Sequence, residues 1–249
     1  MTEPGYPPPG DLYGGSPPPP PMPPGGAAVP PLPWEDRERR GFFPALFETV
    51  KLFVTAPSEA FARAKERGDY LSPILFAVLI GWVMGIIGQL WQIVLPNSMT
   101  LLMMRIMPPE LRAQYAEASA PNALSFIIGL ILTPIIIVIV LFIWSGIVHL
   151  FLMMLGGHKQ STSGYEGTFR AVSYAQVAAV AQIVPFVGPF IAGIWGLVLQ
   201  ILGVARLHRT STGKAVGAVL LPIVLCCLCG IALFALMFGA IMAAIGDMN

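Results

Sequence analysis

The sequence predicts an all-α polytopic membrane protein: five transmembrane helices, a juxtamembrane amphipathic helix and a disordered proline-rich N-terminal arm. Three observations carry that prediction. Of 249 residues, 55% are hydrophobic and only 11% charged, whereas soluble domains carry about a quarter charged residues. The charges are also segregated. None falls in Leu71–Met104, Ala171–Ala205 or Ala215–Gly246, and Ala118–Gly157 holds only His149. Runs of that length read as membrane spans. Finally, residues 1–33 hold 14 of the 25 prolines and no Lys or Arg.

That proline-rich segment has no apolar h-region of the kind a secretory signal needs. It favours extended polyproline II and has little to bury, so residues 1–33 are expected to form a disordered arm. PPPPPMPP at 17–24 has the composition of a ligand for an aromatic-lined groove, but composition alone implies no partner and a solvated spacer is the preferred reading.

Residues 34–70 begin with the charged WEDRERR and continue with helical periodicity. Phe43, Leu46, Phe47, Val50, Phe53 and Val54 recur at three- and four-residue spacing, with Glu48 and Lys51 opposite. Pro57 suits the start of a second helix and Gly68 its end. The apolar face is expected either to lie in the bilayer interface or to pack on the protein's own spans.

The first span is expected at about 72–95, with Gly81 and Gly85 in a GxxxG that admits a close neighbour. An amphipathic connector over 96–122 contains MPPELRAQYAEA. The second span, about 126–155, contains Thr133-Pro134 and, near its end, His149. An ionisable side chain inside an apolar run is a functional candidate by default.

Ala171–Ala205 is too long for one span: 35 residues make a helix of about 52 Å against a hydrocarbon core of about 30 Å. At its centre, Pro185 and Pro189 remove two backbone donors and Gly188 can adopt a reversing conformation. The chain is therefore expected to turn there, giving spans at about 170–186 and 188–207, with a re-entrant hairpin as the competing arrangement. The last span is expected at about 215–245.

Charge distribution orients this five-span arrangement. Seven Lys and Arg precede the first span, Lys159 and Arg170 follow the second, and Arg206, Arg209 and Lys214 follow the fourth. Only Arg105 and Arg112 fall on the other side. The positive-inside rule then places the N-terminus in the cytoplasm and the C-terminus outside. The juxtamembrane segment itself balances seven basic against seven acidic residues. Any lipid attraction there must come from its phenylalanines rather than from net charge.

No catalytic signature occurs: there is no HExxH, GxSxG or P-loop, and no carboxylate cluster in the spans. Cys226, Cys227 and Cys229 have no His, Asp or Glu nearby to complete a metal site and read as small packing residues. No catalytic residue, metal or cofactor is expected, and no nucleic-acid partner.

Two stretches carry a resemblance. One is WEDRERRGFFPALFETVKLFVTAPSEAF, with Thr49, Pro57 and Phe61. The other is GYEGTFRAVSYAQVAAVAQIVPFVGPFIAGIW, with Tyr174, Ile183 to Pro185, Gly188, Ile194 and Trp195, followed by HRTSTGKA. Over about 34–240 the chain resembles the Yip (Ypt/Rab-interacting protein) domain family in its prokaryotic form. The resemblance implies a five-helix membrane domain with a cytoplasmic N-terminus, placed in the inner membrane if the chain is prokaryotic. Eukaryotic members act in vesicle traffic by binding Rab GTPases and one another. DLYGG at 11–15 is similar to a DLYGP motif of those members, but its place inside the proline arm reads as coincidence.

The expected function is that of a non-enzymatic membrane scaffold that recruits partners or organises the bilayer. A cytoplasmic protein would bind through the N-terminal region, and homo- or hetero-oligomers would form. The alternative is a small transporter or channel built around the broken segment 181–195. His149, Tyr165 and Tyr174 are the candidate functional side chains, and Pro185, Gly188 and Pro189 the turn residues.

Overall fold

A computed structural model describes residues 29–95, 98–119 and 123–246. The chain divides into two units, Met1–Pro30 and Pro31–Asn249. The proline motifs at 11–15 and 17–24 lie outside the described residues. The second unit is helical throughout its described elements. A 3-10 turn at Pro33–Asp36 leads into α1 (Arg37–Arg40), α2 (Phe42–Thr55) and α3 (Pro57–Arg63). Then come α4 (Leu71–Val94), α5 (Ser98–Ile106), α6 (Pro109–Ser119) and α7 (Ala123–Met154). The chain closes with α8 (Gly164–Ala175), a 3-10 segment at Gln176–Ile183, α9 (Gly188–Leu207) and α10 (Thr212–Gly246).

Two expectations need correction. Residues 32 and 33 do not belong to the arm: Leu32 is fully buried, its amide donates to the Arg63 carbonyl at 3.1 Å, and Pro33 is buried too. Proline at the first position suits the 3-10 turn it opens. The expected span 170–186 is also misdrawn. Its helix starts at Gly164, carries Glu166 and Arg170, and tightens into 3-10 geometry at Gln176. Among the described residues, four helices are long and apolar enough to cross a membrane, in α4, α7, α9 and α10, and this polar one is not among them.

The bundle is held by aromatic packing where α2 and α3 meet the spans. Phe53 lies 5.0 Å from Phe61 and 5.7 Å from Tyr174, stacked on the latter, while Phe76 lies 5.4 Å from Tyr174 and 5.8 Å from Trp34. A smaller cluster of Ala77, Leu141, Phe169 and Val172 joins α4, α7 and α8. Gly203 lets α9 approach closely, because a Cβ there would sit 2.7 Å from the Phe61 ring and 2.8 Å from the Ala171 methyl. By contrast, most of the apolar surface of α7 and α10 faces outward, as lipid-facing helices require.

α2 divides its apolar residues between two faces. Ala45, Thr49 and Phe53 pack inward. Phe43 and Phe47 stay 67% and 68% exposed, with Val54 beside them on the outer face. One face therefore packs on the protein's own helices, and the other is left exposed.

Candidate functional site: a buried polar layer around α8

Glu166, Arg170 and Tyr174 recur every four residues, so they share one face of α8. That face receives the Pro33–Asp36 turn. The Arg170 and Glu35 side chains are both 0% exposed, and Arg170 Nη1 meets Glu35 Oε1 at 2.6 Å. Arg170 Nε donates to Glu166 at 3.0 Å and Nη2 to the Asp69 carbonyl at 2.6 Å. Glu35 also accepts from the Tyr174 hydroxyl at 2.8 Å and from the Lys65 amide at 2.9 Å. A buried ion pair is tolerable only when its remaining donors and lone pairs are met this way. Trp34 seals the layer. Its amide donates to Thr49 at 2.8 Å and its indole to the Ser72 carbonyl at 2.7 Å, while Arg37 lies over its ring at 5.1 Å.

Thr168 points from another face of α8 into a second network. Its hydroxyl lies 2.8 Å from His149 Nδ1 on α7 and 2.8 Å from His208 Nε2, just past α9. His208 Nδ1 meets the Ser161 hydroxyl at 2.8 Å, Ser161 meets Ser163 at 3.0 Å, and Ser163 donates to the Leu207 carbonyl at 2.8 Å. Donor counting gives the chain a direction. Ser163 spends its only proton on a carbonyl, so Ser161 must donate to Ser163 and accept from His208 Nδ1–H. A neutral His208 then accepts at Nε2 from Thr168, and Thr168 accepts from His149 Nδ1–H. Burial pushes the His208 imidazole down to about 4, with repulsion from His149 and His158 adding to it, so it is neutral as this direction requires.

A third link joins the loops. Arg209 reaches Glu66 at 2.6 Å, and Thr162 donates to the same carboxylate at 2.8 Å. The bond from Arg209, then that from Thr162, holds the Glu66 carboxyl below the usual carboxylate range.

His149 and Tyr174 thus sit on opposite sides of α8, in different networks, while Tyr165 donates to the Phe142 carbonyl at 2.9 Å. Pro185, Gly188 and Pro189 are remote from both. Pro185 lies in the turn that reverses the chain, Phe186 adopts φ +62°, and Gly188 and Pro189 open α9. A Cβ on Gly188 would fall 2.2 Å from the Ala181 carbonyl oxygen.

Sequence reading missed Glu35 and Arg170 as partners in the first network, and Thr168 and His208 as partners in the second. Only the four-residue spacing of Glu166, Arg170 and Tyr174 signalled the first. Every strong polar contact here is internal. The layer ties the N-terminal turn, α7, α8 and α9 together, and its groups are already satisfied by one another rather than directed at a bound molecule.

Among known proteins, the family model of the Yip1 domain matches the chain over residues 50–234. No curated protein matches the chain, and no solved structure does.

Proposed function

The chain belongs to the Yip1 domain family, and on that premise we propose that it is a non-enzymatic membrane scaffold whose N-terminal helices recruit partners or engage the bilayer surface. The observation that carries this reading is the two-sided α2. Its inner face is fastened to the bundle through Thr49 and Phe53, so its outer face presents Phe43 and Phe47 from a fixed base. Exposed aromatic residues outside the spans mark a protein or membrane contact.

In the five-span arrangement, α8 with its 3-10 extension is the third span. Twelve residues at about 1.5 Å and eight at about 2.0 Å give roughly 34 Å, enough to cross the hydrocarbon core. Eleven of the 14 basic residues then face the cytoplasm with the N-terminus, two face outside and Arg170 lies within the third span. Reporter fusions should read residues 160 and 210 as cytoplasmic, and residue 110 and the C-terminus as outside. A cytoplasmic C-terminus removes the five-span arrangement.

Crosslinking in native membranes tests the scaffold itself. The full chain should capture protein neighbours or lipid that Phe43→Ser/Phe47→Ser loses while it still inserts. Identical recovery by both proteins would refute the role given to α2. The transporter reading keeps one observation in its favour. A groove of about 260 Å³ between the 3-10 segment and α9 carries Gln176, Gln182 and Gln200 among small residues. Solute flux through vesicles holding the purified protein, reduced by Gln176→Leu/Gln182→Leu, would favour that reading instead.

A further inference from the structure

We propose that the cavity where α7 ends and α10 begins binds a phosphate group, carried by an anionic lipid headgroup or present as the free ion. The cavity holds about 270 Å³ and is lined by Gly156, Gly157, Lys159, Gln160, Thr210, Ser211 and Lys214. That is roughly the volume of nine waters at about 30 Å³ each, ample for a tetrahedral phosphate and its residual hydration. Its chemistry is one-sided: two ammonium groups, an amide and two hydroxyls, with no carboxylate in the lining. Glu66, whose partner Arg209 precedes the lining residue Thr210, is already engaged by that Arg209 and by Thr162.

Lys214 is set in place rather than free to wander, since its Nζ donates to the Gly156 carbonyl at 3.2 Å. That bond leaves two ammonium protons for an anion. Among the described residues, the Thr210 and Ser211 hydroxyls have no hydrogen-bond partner. A lysine is a compact point charge that binds phosphate without a fixed geometry, and hydroxyl donors beside it supply the directional bonds.

Position narrows the source. The apolar stretch of α7 ends at Met154 and that of α10 starts at Thr212. The lining residues 156–160 and 210–214 therefore stand at the edge of the apolar belt, at the depth of lipid phosphates. A lipid could place its phosphate in the cavity while its acyl chains lie along the exposed faces of α7 and α10. The site is independent of which side of the membrane that edge faces, and of the scaffold role.

The experiment uses the full chain in neutral detergent, with thermal midpoint and half-saturating concentration as readouts. Three additives are compared: phosphatidic acid, phosphatidylcholine and inorganic phosphate. Phosphatidic acid is expected to raise the midpoint and phosphatidylcholine to leave it unchanged. Lys159→Gln/Lys214→Gln should weaken half-saturation at least about tenfold, from two near-surface cations at an anionic headgroup. The charge-matched Lys51→Gln/Lys65→Gln should bind as the unaltered chain does. If inorganic phosphate alone gives the same lysine-dependent shift, the site stands with the free ion as its ligand. If both double variants lose binding equally, or neither does, attraction is diffuse and the proposal is overturned.

Discussion

At the scale of residues, the Glu35–Arg170 pair dominates. Removing one member of a fully buried pair strands the other, at a cost of about 3–5 kcal/mol. Arg170→Met is therefore expected to lower unfolding stability by that order, measured by denaturant titration in detergent. Arg170→Met/Glu35→Met should lose less than the two single losses combined, because neither charge is then left behind. A strictly additive double variant would show that the two side chains act independently. His208 predicts a pH dependence. Its folded value, about 4, lies below the 6.5 of an unperturbed imidazole, so the unfolded chain binds the proton more readily. Stability is complete above about pH 6.5 and falls as pH drops toward 4, by up to about 3 kcal/mol. His208→Gln should flatten that slope between pH 6.5 and 4, whatever it does to stability at pH 8. An unchanged slope would assign acid sensitivity to another group.

Among the elements, the four most apolar helices were legible in the sequence because uninterrupted hydropathy is a local property. The observed α4, α7, α9 and α10 begin or end within about three residues of the expected spans. The α8 helix was not legible in the same way. Its polar residues lie on a helix that buries them, and apart from the Arg170–Glu166 pair their partners are 19 to 139 positions away. A charge with a distant partner looks in sequence like a charge in a loop. Likewise the apolar periodicity of α2 showed that a face existed, but not that it would be shared between the bundle and the exterior. The turn before α9 offers a test at this scale. Gly188→Ala forces a methyl against the Ala181 carbonyl, whereas a Cβ at Gly193 meets nothing within 4 Å. Gly188→Ala should lower the thermal midpoint markedly. Gly193→Ala should leave it level or raise it slightly, since alanine favours a helix by about 1 kcal/mol over glycine. Equal effects would mean that the turn relaxes freely.

For the whole molecule, the folded unit starts earlier than composition indicates and the Yip1 match starts later. The match opens at residue 50, yet Leu32, Trp34 and Phe53 share one core cluster. Deleting residues 1–30 should leave stability nearly unchanged, because the compact unit begins at Pro31. Deleting 1–36 removes Leu32, Trp34 and Glu35 together and should cost several kcal/mol through lost burial and an orphaned Arg170. Thermal melts of the two truncations decide it, and equal midpoints would show that the N-terminal turn is dispensable.

The Glu35–Arg170 contact also has a meaning in time. Its two ends are separated by 135 positions, and synthesis runs at about 5–20 residues per second. Glu35 therefore leaves the ribosome on the order of ten seconds before its partner exists, and α4 and α7 are made in the interval. Until then Trp34 and Glu35 have no complete seat, and these early residues are among the last to settle. Closure of this contact marks the moment at which the translated membrane domain has assembled as far as α8.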